Sequence, residues 1–249
     1  MNDPIQTTAN SMAAITQRFE TTAQNLANSS TVGYKRRGST AVTAEATTAG
    51  NGKGASAGNP PDAAGKLSAR PFIDFSQGTL IQTGRQFDAA LHGPGFYVLD
   101  TPQGELYTRD GVFRTNTTGQ LVDAEGRTVQ GEGGPITIPS LTNSQAINIG
   151  RDGRIMAGNQ TLGKLRVVEF ENPAALVPAG QNGFRASAKA APAAASKTQV
   201  QQGFQEASNV SPVEELVSLI TCTRMYEATL KNISVQEEKM KSMMQVAMA

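Results

Sequence analysis

Ser211-Pro-Val-Glu-Glu-Leu-Val-Ser-Leu-Ile-Thr-Cys-Thr-Arg-Met-Tyr226 opens the stretch whose reading decides the architecture. Ser211 suits a helix cap, Pro212 fits the first turn, and Glu214 stands three residues after the serine, as a capping box requires. Leu219, Tyr226, Ile233 and Met240 then recur every seven residues, and Leu216, Leu230 and Met244 fill the companion positions. A strict seven-residue apolar repeat is a coiled-coil seam, narrower than the stripe of a globular helix. If 211–246 is one helix it is about 54 Å long. The stripe drifts about 20° per heptad on a straight helix, so a partner should wind left-handedly. Val213, Val217 and Ile220 fall on a different side, about 100° from the early seam. The first turns therefore offer apolar surface to more than one partner.

The other end repeats this grammar. Asp3 and Pro4 open a helical pattern in which Ile5, Met12, Phe19 and Leu26 recur at sevens, with Ala9, Ile15 and Ala23 between them, until Gly33 ends it. Thr7, Thr8, Thr16, Thr21 and Thr22 lower its helix propensity, so it should fold weakly alone. The two terminal helices are expected to pair as one coiled-coil-like domain made of residues 1–35 and 205–249.

Between them the period changes. Short alternating runs such as Gly95-Phe-Tyr-Val-Leu99, Glu105-Leu-Tyr-Thr108, Pro135-Ile-Thr-Ile138, Ala146-Ile-Asn-Ile149 and Lys164-Leu-Arg-Val-Val-Glu-Phe170 are separated by Gln103-Gly104, Asp110-Gly111, Glu125-Gly126 and Asp152-Gly153. Such turns suit antiparallel hairpins. The expected fold is mainly β with terminal α, its central antiparallel β domain spanning 72–204. Residues 36–71 read as a linker. Residues 39–66 and 186–198 are rich in Ala, Thr, Gly, Asn or Ser and nearly lack large apolar side chains, so neither is expected to pack firmly. A fragment of 68–185 is expected to fold alone.

Composition removes most chemistry. The chain has 249 residues and a formal net charge of +1, which argues against a nucleic-acid groove or an anionic membrane surface. One cysteine, Cys222, and one histidine, His92, exclude an intramolecular disulfide and a Cys/His zinc site. Gly93-Pro94-Gly95 lacks the third glycine of a dinucleotide turn, and Gly163-Lys164 is followed by Leu165 rather than Ser or Thr. Asp110, Asp123, Glu125 and Asp152 could be imagined as paired carboxylates, but Asp110, Glu125 and Asp152 each flank a turn glycine, where an acidic side chain has a local backbone role. Cys222 reads as a small buried hydrophobe and the Met240, Met243, Met244 and Met248 cluster as adaptable packing. No catalytic residue, cofactor, metal or small-molecule substrate is expected, and no membrane insertion. The start is polar, without the basic and apolar run of a cleaved secretory signal.

Several motifs, taken together, are specific. Asn25-Leu26-Ala27-Asn28 followed by Thr31-Val-Gly33-Tyr34-Lys35 resembles the N-terminal signature of bacterial flagellar rod and hook proteins. Gln77-Gly-Thr-Leu80 with Thr83-Gly-Arg85 and Asp88, Gly93-Pro-Gly-Phe96, Tyr107-Thr-Arg-Asp-Gly111, Gly131-Glu-Gly-Gly-Pro-Ile136, and Ser208-Asn209-Val210 with Val213-Glu-Glu-Leu-Val217, Arg224 and Tyr226-Glu227 follow in that family's order. The short chain and the Gly131–Ile136 segment favour the proximal-rod subfamily over the distal one. The resemblance implies a structural subunit of the basal-body rod. Its terminal helices would form the axial layer and contact other rod subunits. Export would run through the flagellar type III apparatus without a cleaved signal. The competing reading is a ligand-binding β module dimerised by its helices, for which no convergent polar set is found.

Overall fold

The computed structural model describes residues 4–43, 67–139, 147–180, 182–187 and 190–248. The expected linker residues 44–66 and the side chain of Ile5 lie outside the described residues. Helix α1 (Pro4–Ala27) is followed by strands β1 (Arg37–Thr43) and β2 (Leu67–Ile73). Then come β3 (Leu80–Gln82), β4 (Ala89–His92), β5 (Gly95–Thr101), β6 (Gly104–Thr108), β7 (Arg114–Thr115), β8 (Leu121–Val122), β9 (Thr128–Gly131) and β10 (Gly134–Pro135). The next are β11 (Ile147–Ile149), β12 (Arg154–Ala157), β13 (Gln160–Lys164), β14 (Val167–Phe170), β15 (Leu176–Pro178) and β16 (Gly183–Ala186). Strands β17 (Pro192–Ala194), β18 (Gln199–Gln202) and β19 (Phe204–Glu206) lead to helix α2 (Pro212–Ala247). The chain is mostly β with a helix near each end, as the two periodicities predict.

Two compact units share the chain. One takes residues 1–26, 37–72 and 212–249, the other 27–36 and 73–211. The first unit holds both helices and a two-stranded ribbon, β1 with β2. Both strands fall in the stretch read as linker. Arg37-Gly-Ser-Thr-Ala-Val-Thr43 has little apolar bulk, but a ladder is made by backbone groups and does not need it. The helical threonines are locally satisfied. Thr16, Thr21, Thr221, Thr223 and Thr229 each donate to the carbonyl four residues back.

The second unit is organised by β5. All of Gly95-Phe-Tyr-Val-Leu99 is buried, so this strand is covered on both faces. Tyr97 and Leu99 join a core with Leu91, Leu106, Phe113, Leu121, Val129, Ile149, Ile155 and Leu165. Phe96 and Val98 point the other way, into a core with Tyr107, Val168, Phe170, Leu176 and Phe184. Edge-to-face pairs line that second side: Phe75 with Phe96 and Phe184, and Phe170 with Phe96 and Tyr107. The ten-stranded sheet runs β15-β16-β6-β5-β9-β8-β7, with β14 on β5, β17 on β14 and β10 on β9.

Three smaller sheets, β11-β12-β13, β18-β4 and β19-β3, complete this unit. Gln202 knits two of them. Its Oε1 accepts from Ile149 N–H at 3.0 Å while its Nε2 donates to Ile147 O and Gln86 O at 2.8 and 2.9 Å. One carboxamide thus does the work of a neighbouring strand.

The finer expectations meet several differences. The run 135–138 is a strand only to Pro135, with a single bridge from Thr137 to Gln120. The run 164–170 breaks where Leu165 bridges to Gly131. Gly111 is not a turn glycine: a Cβ there would come within 1.7 Å of the Ala89 carbonyl oxygen, so close strand approach is its reason. Asp110 and Asp152 do hold local amides, those of Val112 and Arg154, but at the third turn it is Asp123 rather than Glu125 that does so, accepting from the Glu125 and Arg127 amides, because its shorter side chain starts the turn. Within the alanine-rich stretch 186–198, the described residues 190–198 are bound down after all. Ala190 is buried in the second core and β17 pairs with β14. The Glu169 carboxylate accepts from the Lys197 amide and the Thr198 hydroxyl, each at 2.8 Å.

The late strands are therefore part of the early core. Val200 pairs with Leu91 and is buried beside it. A fragment of 68–185 lacks β17, β18 and β19. In urea unfolding it is expected to be at least ~3 kcal/mol less stable than a fragment of 27–211, from the loss of buried side chains and ladders. Equal midpoints would show that these strands stand outside the cooperative unit.

Candidate assembly site

Two faces of α2 differ in chemistry. Glu215 and Cys222 are buried and Ser218, Leu219, Thr229, Ile233 and Gln236 half-buried. Residues 215, 222, 229 and 236 form a second seven-residue column beside Leu219 and Ile233, and its polar members hid it from an apolar count. Within this unit, Thr8 and Ser11 of α1 and Thr229, Asn232, Val235, Gln236 and Lys239 of α2 line one groove of about 340 Å³. About 170° around the wheel lie Val213, Leu216, Val217 and Ile220. They are 72%, 49%, 58% and 47% exposed. Leu216, expected in the companion seam, belongs to this outer face. Tyr226, Leu230, Met240 and Met244 are also exposed, as is Phe19 on α1, whereas Met12 and Leu26 are half-buried. Four large aliphatic side chains thus stand bare within about two turns, a contiguous apolar patch rather than scattered single residues.

The quoted motifs converge elsewhere, on a buried ionic cluster in the second unit. Lys35 Nζ donates to Glu206 Oε1 and to Ser76 O, both at 2.6 Å. Gly78 N–H donates to the same Oε1 at 2.8 Å. Arg109 Nη1 lies 3.5 Å from Glu206 Oε2, donates to Gly93 O at 2.7 Å, and its guanidinium sits over the Phe96 ring at 4.8 Å. Lys35, Arg109 and Glu206 are all essentially without solvent exposure. Gly33 is in the left-handed region, and a Cβ there would come within 2.6 Å of the Asp110 nitrogen. Tyr34 is buried beside it in sequence. Residues from four separated motifs thus meet around one carboxylate, and Glu206 carries no local sequence signal that could have marked it.

Two asparagines act as peptide surrogates. In the first unit Asn25 Nδ2 donates to Arg37 O at 2.7 Å and its Oδ1 accepts from Arg37 N–H at 2.9 Å. In the second, Asn209 Oδ1 accepts from Arg36 N–H at 2.7 Å and its Nδ2 donates to Asp74 O at 2.9 Å. Ser208 Oγ accepts from Val210 N–H, Val210 is buried, and Asn28 Oδ1 accepts from the Thr31 hydroxyl. Ala27 is exposed. Only a planar group with a donor and an acceptor side by side can pair with a peptide in this way.

Two family models match the chain. Residues 90–157 match the family model "Flagellar hook protein FlgE/F/G D1 domain", and 201–246 match "Flagellar basal body rod FlgEFG protein C-terminal". The chain is 31% identical to the flagellar basal-body rod protein FlgF of Mesorhizobium japonicum, over 92% of this chain and 91% of that one. The chain belongs to the flagellar basal-body rod protein family. It is 32% identical to FlgF of Caulobacter vibrioides over 86% and 85% of the two chains. It is also 33% identical to FlgG of Agrobacterium fabrum over 92% and 94%. The molecule is a FlgF-like structural subunit of the rod, located in the flagellar basal body.

A rod subunit needs binding faces rather than reactive groups, and the electrostatics agree with a structural cluster. Burial pulls the Lys35 ammonium below the ordinary lysine value, with Glu206 pushing back. Burial also lowers Arg109 and raises Tyr97, whose hydroxyl donates to Ala89 O at 2.7 Å. Among the described residues no group of His, Cys, Asp and Glu could hold a metal ion, and no helix is long and apolar enough to cross a membrane.

Burial pushes the Asp110 carboxyl up to about 6, against the Val112 amide that favours its anion. Glu125 and Asp123 push the same way and Arg127 opposes. The folded unit therefore holds this proton more tightly than the unfolded chain does. The resulting stability is complete below the ordinary aspartate range and is lost as pH rises through about 6. At pH 7.5 the anion costs about 3 kcal/mol. Asp110→Asn keeps an oxygen for Val112. It is expected to raise the urea midpoint at pH 7.5 and to change it little at pH 4. An unchanged midpoint at pH 7.5 would refute this account of Asp110.

Proposed function

We propose that this chain polymerises helically as a proximal subunit of the flagellar rod, forming the drive shaft and the wall of its channel. The observation that carries this is the bare apolar face Val213, Leu216, Val217 and Ile220 at the start of α2. One intramolecular helix pair uses one face of α2, and this face lies on the other side. Head-to-tail contacts that do not close into a ring build a helical tube. The assembly surface combines this patch with the heptad positions Ile5, Met12, Phe19, Leu26, Leu219, Tyr226, Leu230, Ile233, Met240 and Met244. The two helices wind around each other as a coiled coil within each subunit. The partners are further rod subunits, and the flagellar type III export apparatus delivers the chain. No catalytic step, small-molecule substrate, nucleic acid or membrane insertion enters this reading. The similarity to FlgG relatives over equal lengths favours a distal position as the second reading.

The tests use the outer face. Val217→Asp places a carboxylate on an exposed position, so the isolated subunit should fold as before. Buried at a subunit contact, the charge costs several kcal/mol each time, roughly 3–5 by analogy with other buried unpaired charges. Motility should be lost, with the mutant subunit made and exported but missing from purified basal bodies. Ile233→Asp, on the half-buried side of α2, should also abolish motility, while Lys231→Asp, an exposed charged position off the Leu219–Met240 seam and beyond the apolar patch, should be far milder. Normal swimming with Val217→Asp subunits present in the rod would sink the assembly role of this face. The subunit's height in a map of the basal body separates the proximal from the distal reading.

A further inference from the structure

Beyond the local Tyr34 N–H bond to Thr31 O and the Asp74 N–H bond to Arg36 O, the long-range ties of residues 32–36 run to segments that follow them in the chain, and Glu206 supplies two. Its backbone oxygen accepts from Gly33 N–H at 2.8 Å and its carboxylate binds the Lys35 ammonium. The remaining ties are Asn182 Nδ2 to Val32 O at 2.9 Å, Asn209 Oδ1 to Arg36 N–H, and Ser76 O to Lys35. All of these groups lie within the second unit. Lys35 has no solvent exposure, so docking it without an anion would bury an uncompensated charge. Ser76 O is a neutral acceptor, and the other charged group near Glu206 is a second cation, Arg109. Among the described residues Glu206 is the one anion hydrogen-bonded to Lys35, with Asp74 acting more weakly on its charge.

We propose that Glu206 is a latch: residues 32–36 dock onto the β unit only once the C-terminal segment 203–209 has put Glu206 in place. The N-terminal segment then stays undocked through the synthesis and folding of everything before β19. The order of closure is set by charge. The ten-stranded sheet and its two cores contain neither Lys35 nor Glu206, so they can form while the latch is open.

Amide hydrogen exchange of the full chain tests this, read on peptides covering 28–37 and 95–108. Glu206→Gln removes the anion and keeps the backbone tie. Lys35→Ala removes the cation and leaves the carboxylate with Gly78 and Arg109. Each variant is expected to speed exchange in 28–37 by about 100-fold while 95–108 keeps wild-type protection. Wild-type protection of 28–37 in either variant would overturn the latch, and so would joint loss of protection in both peptides. If Glu206→Gln fails to fold, Lys35→Ala decides by the same readings. The outcome is independent of rod assembly, so it stands or falls apart from the functional proposal.

Discussion

The ion pair between Lys35 and Glu206 is the interaction on which the meeting of the second unit's first and last segments depends. It joins residues 171 positions apart with both side chains removed from water. Such a pair adds little net stability, because desolvating two charges consumes most of the attraction between them. Its effect is selectivity. A lysine in that position tolerates one partner, and a glutamate held by Gly78 and faced by Arg109 offers one site. Mispaired arrangements of the two terminal segments leave a buried charge alone. The cluster therefore fixes which parts of the chain lie side by side more than it strengthens the fold.

The carboxamides refine what the charges choose. Asn25 bonds both main-chain groups of Arg37, and Asn209 bridges the Arg36 N–H to the Asp74 carbonyl; Arg36 and Arg37 are the main-chain donors. These are consecutive residues at the point where the chain passes from one unit to the other. A hydrogen bond to a backbone group is sensitive to register, since a shift of one residue turns the donors and acceptors to the opposite side. Gly33, whose left-handed backbone and tight contact exclude a side chain, fixes the preceding bend. Charge, register and bend are thus specified within five residues, although their partners lie as far along the chain as Glu206 and Asn209.

Much of this was legible in the sequence and some could not be. The heptads placed α1 and α2, and the glycine-punctuated runs placed β5, β6 and the hairpins, because period reports local geometry directly. The seam position on α2 was harder. Glu215, Cys222, Thr229 and Gln236 are not apolar, so their column was invisible to a count of large hydrophobics, and Leu216 was assigned to the wrong side. The stretch 186–198 was read as loose because its side chains are small. Its ties are backbone ladders and the Glu169 carboxylate, which composition does not display. Glu206 was the deepest omission. Its partners sit 97 and 171 residues away, at Arg109 and Lys35, and no local pattern distinguishes it from a surface glutamate.

The contrast between the two units follows from what each must do. The second unit encloses its apolar side chains on both faces of β5 and satisfies its carboxamides internally, as a self-contained body does. The first unit leaves Val213, Leu216, Val217, Ile220 and a run of methionines in contact with water. With a net charge of +1, the chain has little overall repulsion to hold copies apart. A solitary subunit with such a face would gain by associating, and a subunit of a rod must do so only at the growing end. Weak helix propensity in α1, with threonines at positions 7, 8, 16, 21 and 22, offers a physical restraint. A helix that forms fully only against a partner presents its complete contact surface late, so association is coupled to folding. The ordering entropy then falls due at docking.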